Sequence, residues 1–142
     1  TSSLNTPDED AFEGQMIPGA PLADAPVEVA GQPGWLLHQM GNRFQLLHYV
    51  DDASTLDEKT ALALAQLAQA AIAIEAIIVA PRGQAPAGLK TLIDTDGCIA
   101  QRYDLRPGTT YLVRPDQHVA ARWRALDASK IKAALARATC NA

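Results

Sequence analysis

Aromatic side chains are scarce in this sequence, 5% of 142 residues, too few to build the stacking platforms that hold single-stranded nucleic acids. Basic residues form no cluster denser than Arg122-Trp123-Arg124, so no nucleic-acid footprint is expected. Cysteine is limited to Cys98 and Cys140, 42 positions apart. That excludes a disulfide framework and a Cys-x-x-Cys redox pair, and points to a reducing, cytoplasmic setting. Long apolar runs are missing too. The most apolar stretch, Ala61 to Ala80, is broken by Gln66, Gln69 and Glu75, short of the roughly 18–20 apolar residues a bilayer span requires. The histidines His38, His48 and His118 have no companion at ligand spacing, and no metal site is expected. An initiator Met and the basic-then-apolar layout of a signal peptide are also absent, so the chain is expected to be a piece of a longer protein.

What is present suits one domain with a core of useful size: 48% hydrophobic and 20% charged residues. The net charge of −4 hides an asymmetry, ten acids and one base in residues 1–58 against six acids and eleven bases in 59–142. Five of nine prolines and four of nine glycines fall within residues 1–34, without helical or strand period, which predicts an extended linker that packs on something. Residues 35–142 read as the domain. Trp35–Met40 predicts one or two helical turns and Phe44–Val50 a central strand. Asp57 is placed to cap a helix running to about Ala73, with Leu64, Leu67, Ala68 and Ala71 on one face. Ala76–Ala80 then predicts a second, parallel strand. Further on come a short extended piece at Leu89–Asp94, a turn and short helix over 95–103, and a hairpin of Thr110–Arg114 with His118–Trp123. Val119, Ala121 and Trp123 are expected on one face of that hairpin, and a closing helix follows from Asp127. This order predicts an α/β, thioredoxin-like mixed sheet, a βαβ unit plus a C-terminal hairpin and helix, with helices on both faces.

The architecture alone names no activity, being shared with peroxiredoxins and glutathione-transferase N-terminal domains. Where a thioredoxin-like oxidoreductase needs a thiolate, at the start of the first long helix, this sequence reads Asp51-Asp52-Ala53-Ser54-Thr55, and carboxylates there disfavour a thiolate. Cys98, after a turn, is the one candidate for a free-standing thiol enzyme; its other reading is a small buried hydrophobe. Gly83–Thr91 misses the phosphate-loop pattern because Leu89 separates Gly88 from Lys90. Asp94-Thr95-Asp96-Gly97 lacks the later ligands of a calcium loop and reads as a tight turn. His48, inside an apolar strand, reads as a hydrogen-bonded core histidine.

The block Pro107-Gly108-Thr109 followed by Thr110–Trp123 (TYLVRPDQHVAARW), together with Asp94–Gly97, Gln101-Arg102-Tyr103, Gly34–Leu37 and Ala20–Pro26, resembles the C-terminal thioredoxin-like domain of FAD-dependent aromatic hydroxylases. These are flavin monooxygenases of the phenol hydroxylase and 3-(3-hydroxyphenyl)propionate hydroxylase type. The resemblance implies a non-catalytic structural or interaction domain whose parent hydroxylates a phenolic ring with O2 and NAD(P)H. FAD and NAD(P)H would belong to upstream domains, the partners of this piece, since the dinucleotide-binding motifs are not in this sequence. No catalytic, cofactor or metal residue is therefore assigned. Arg114, Asp116, Arg122, Trp123 and Arg124 are the candidate interface residues, Arg and Trp being favoured interface anchors. A solvated strand face with Trp123 in the core is the alternative. Ile17, Leu22, Val27 and Val29, if uncovered, predict self-association into a homo-oligomer.

Overall fold

The computed structural model describes residues 3–140. Its strands are β1 (Pro26–Val29), β2 (Gln32–Trp35), β3 (Phe44–Tyr49), β4 (Ile74–Ala80), β5 (Lys90–Ile93), β6 (Thr110–Val113) and β7 (Val119–Trp123). Its α-helices are α1 (Glu58–Gln66), α2 (Cys98–Arg102) and α3 (Ala128–Ala138), and a 3₁₀ turn spans Leu36–Gln39. All seven strands join one sheet in the order β2-β1-β5-β4-β3-β6-β7. The parallel pairs β3/β4 and β4/β5 form its centre, with antiparallel pairs outside them.

Central strands of a covered sheet are apolar on both faces, and β3 and β4 divide their side chains accordingly. Leu47, Ile77 and Val79 face one core with Ile99 and Tyr103 around α2, Leu36 of the 3₁₀ turn, and Met16, Leu22 and Ala25 of the N-terminal segment. Leu46, Ile74, Ile78 and Ala80 face the other with Leu64 of α1 and Ile131 and Ala134 of α3. Helical structure therefore covers both faces, as a thioredoxin-like sheet requires. Helix starts follow their caps: Asp57 accepts from Thr60 N at 2.6 Å and Asp127 from Lys130 N at 3.1 Å.

Three local readings are corrected. The first helix stops at Gln66 and passes through a 3₁₀ turn, Leu67–Gln69, into extended chain at Ala70, leaving Ala68 and Ala71 exposed. A run of alanines offers too little apolar area to hold further turns on the sheet. The hairpin contains a bulge: Leu112 pairs Ala121 while Val113 pairs Val119. Ala120 is thus the extra residue, and Val119 faces the α2 side while Ala121 and Trp123 face α1 and α3. The end of the stretch read as a linker, residues 26–34, forms β1 and, with Trp35, β2. Glu28 pairs Ile93 and carries this small hairpin onto the sheet.

Candidate functional site

The N-terminal segment crosses the β6/β7 edge, and most of the candidate interface residues lie beneath it. Tyr111 and Arg122 are cross-strand partners, so the Arg122 side chain leaves the sheet on the Tyr111 side, opposite Trp123. Trp123 is in the core, 3% exposed, and Arg122 is equally buried. Asp8 reaches Arg122 with both carboxylate oxygens, Oδ1 accepting from Nε at 3.0 Å and Oδ2 from Nη2 at 2.7 Å, the fork geometry that makes arginine–carboxylate pairs strong. Desolvation works against the Arg122 charge, but the bonds to Asp8 and the neighbouring Tyr111 hydroxyl dipole outweigh it and hold the guanidinium protonated. Burial raises the Tyr111 pKa, against the pull of Arg122.

Phe12 lies beside both guanidiniums, 4.3 Å from Arg122 Cζ and 3.9 Å from Arg124 Cζ to the ring centroid. Its edge meets Tyr111 at 6.0 Å and 77°. Arg124 gives its backbone N–H to Asp10 at 3.0 Å, its Nε to the Ala11 carbonyl at 3.2 Å and its Nη2 to Asp104 at 2.5 Å. Asp104 also accepts from Glu13 N, which with Arg124 holds its carboxyl below the usual range. Glu9 pairs with Lys130 at 2.8 Å. At the hairpin turn Arg114 is bonded to Asp116 and, through Nη1, to Asn5 at 3.1 Å. Burial raises the Asp116 pKa, but the bond from Arg114 outweighs it and the net shift is downward.

Backbone bonds complete the contact. Thr6 N donates to Ala120 O, Gly19 N to Val119 O, Val119 N to Ala20 O and Leu22 N to Gln117 O, all at 2.7–2.9 Å. The β7 edge, otherwise a row of open donors and acceptors, is covered by the chain's own beginning. Leu22 and Val27, expected as uncovered apolar anchors, are 7% and 3% exposed, whereas Ile17 is 51% exposed. Arg114, Arg122 and Arg124 thus meet Asn5, Asp8, Asp10 and Phe12, while Asp116 bonds Arg114 and Trp123 turns into the opposite core. Sequence reading missed those partners, although the acidic excess of the first 58 residues facing the basic remainder was their signal.

The place where thioredoxin-like oxidoreductases carry their thiol is built differently. Asp52 accepts from Ser54 N at 2.9 Å, Ser54 Oγ accepts from Gln84 N at 3.0 Å, and Arg82 lies 3.4 Å from Asp52. Cys98 is on the opposite face of the sheet, half-buried at the start of α2. Asp94, itself 2% exposed, already takes the N–H groups of Ile99 and Ala100, donors a thiolate there would draw on. A flavin dinucleotide does not fit the turn after β3 either. That turn presents Asp51 and Asp52 instead of glycine N–H groups, and Asp57 caps α1 with Glu58 in its first turn, so a pyrophosphate would meet carboxylates. Among the described residues no group of three His, Cys, Asp or Glu could hold a metal ion, and no helix is long and apolar enough to cross a membrane.

A family model described as the HcaD C-terminal domain matches residues 23–138, and the chain belongs to that family. The fold is similar to part of the flavin-dependent monooxygenase PieE, solved with FAD and substrate (TM-score 0.72, 22% identity, 98% of this chain and 24% of that one). It is also similar to part of aklavinone-11 hydroxylase, solved with FAD and aklavinone (0.69, 22%, 97% and 25%). A thioredoxin-like protein from Bacteroides caccae shares it as well (0.60, 18%, 83% and 48%). The chain spans about a quarter of the length of the two monooxygenases. No curated protein matches the sequence.

Proposed function

We propose that this member of the HcaD C-terminal domain family is the non-catalytic C-terminal module of a flavin-dependent aromatic monooxygenase. Its parent would hydroxylate a phenolic ring with O2 and NAD(P)H in the cytoplasm. The observation that carries the reading is the match of almost the whole chain to a quarter of two such monooxygenases, together with the family match. FAD and NAD(P)H would be held by the parent's other domains, with this module packed against them. Arg114 and Asp116, at the exposed end of the hairpin, are the candidate residues for that packing. Self-association belongs to the same proposal, now resting on Ile17, Trp35, Leu62 and Ile72, which are 51%, 49%, 59% and 37% exposed.

The test is absorbance between about 350 and 500 nm, the flavin band, after excess FAD has been added to the 142-residue chain and removed by gel filtration. A colourless protein is expected; stoichiometric flavin retention overturns the non-catalytic reading. The alternative, a thiol enzyme using Cys98, has less support because Asp94 already caps α2. Peroxide consumption that disappears in Cys98→Ser would restore it.

A further inference from the structure

The contacts at the β6/β7 edge have the form of a ligand in a groove, and we propose that this edge is a docking site for an acidic, phenyl-bearing peptide segment, filled here in cis by residues 5–17. The inference concerns this chain's own residues and does not depend on what precedes them. Three observations support it.

The first is chemical matching. The segment offers Asp8, Glu9, Asp10 and Glu13, and the surface meets the first three with Arg122, Lys130 and the Arg124 N–H. Phe12 fills the space beside the two guanidiniums. Carboxylates on a forked donor, flanking a ring on cationic faces, make a specific pattern that a plain apolar strap would not need.

The second is separability. The family match begins at residue 23, and all seven strands begin at Pro26 or later. Between residues 3 and 25 the segment forms a single isolated bridge, Pro21 with His118; otherwise it is held by side chains and scattered backbone bonds. Its charged partners on the domain, Arg114, Arg122, Arg124 and Lys130, are groups that water can satisfy if the segment leaves, whereas Met16 and Phe12 are its apolar anchors.

The third is spare capacity. Among the described residues, Arg122 Nη1 is buried without a hydrogen-bond partner. The docked segment leaves this donor unused: Asp8 takes Nε and Nη2 of the same guanidinium.

Hydrogen–deuterium exchange on the full 142-residue chain tests the proposal, comparing the wild type with Asp8→Asn/Asp10→Asn/Phe12→Ala. In the wild type, amides across residues 6–22 should exchange at least about tenfold more slowly than in an unstructured chain. In the triple variant, residues 5–17 should lose that protection while β3 and β4 keep theirs. A fluorescently labelled peptide of residues 3–17 should then bind the triple variant saturably, more weakly as salt rises, and should not bind the wild type, whose groove is filled. If the triple variant unfolds, Phe12→Ala alone carries the same readouts. An unprotected segment in the wild type overturns the proposal. So does loss of protection in β3 and β4 together with the segment in Phe12→Ala, or failure of the opened groove to bind the peptide.

Discussion

At the residue scale, His48 shows how a side chain read as structural becomes measurable. It is 5% exposed, and its Nδ1 lies 2.9 Å from Thr110 Oγ1. Thr110 already donates to the Gly108 carbonyl at 3.0 Å, so the His48 Nδ1–H is the donor of this bond. Burial lowers its pKa from 6.5 to about 4, with Asp57 pulling weakly the other way. The unfolded chain therefore takes up this proton before the folded one does. The contribution to stability is complete above pH 6.5 and is lost as pH falls toward 4, to a total of about 3 kcal/mol. Urea midpoints should drop between pH 6.5 and 4.5. His48→Gln, which keeps a donor for Thr110, should flatten that drop; an unchanged slope would show that another group causes it. His48 was legible because a lone histidine in an apolar strand has few other uses. Gln45 and Gln117 were not. Gln45 is 1% exposed, bonding Gln39 O, Glu75 and Gly41 N, and Gln117 ties the Leu37 and Met40 carbonyls to the hairpin. A glutamine that satisfies the loop of another element carries no local pattern, because its partners are defined only after folding.

At the scale of elements, the parallel strands, the hairpin and α3 were legible because each has a strong apolar period or turn chemistry of its own. The β1/β2 hairpin was not, since Gln32-Pro33-Gly34-Trp35 has no strand pattern; it is held by register with β1 and by its place at the sheet edge, where a proline's missing donor costs little. The bulge at Ala120 was equally hidden, because Val119-Ala120-Ala121 is an unbroken apolar run whose small alanines suit either face of the sheet. The closed loop at 82–84 yields a sharp prediction. Gly83 has φ +93°, and a Cβ there would stand 2.1 Å from Asp52 Oδ1 and 2.7 Å from Ser54 N. Gly83→Ala adds left-handed strain to a clash with backbone and should cost about 2–4 kcal/mol, read as a lowered urea midpoint with an unchanged slope. A loss below about 0.5 kcal/mol would mean that the 52–54 turn yields freely and that this site is open.

At the scale of the whole molecule, the charge asymmetry read from the sequence corresponds to a physical contact: an acidic beginning lies on a basic hairpin 114 residues further along the chain. The candidate interface was legible as a set of residues, but its occupant was not, because composition identifies charges without saying which of them meet. The central claim, that this domain is one part of a flavin monooxygenase, makes a direct prediction about size. The matched monooxygenases are about four times as long as this chain. The decisive measurement is the intact mass of the native polypeptide carrying this sequence, isolated from its source with an antibody raised against the 142-residue domain. A chain of roughly four times 15.1 kDa that carries bound FAD is the expected result. A flavin-free polypeptide of about 15 kDa would contradict the account.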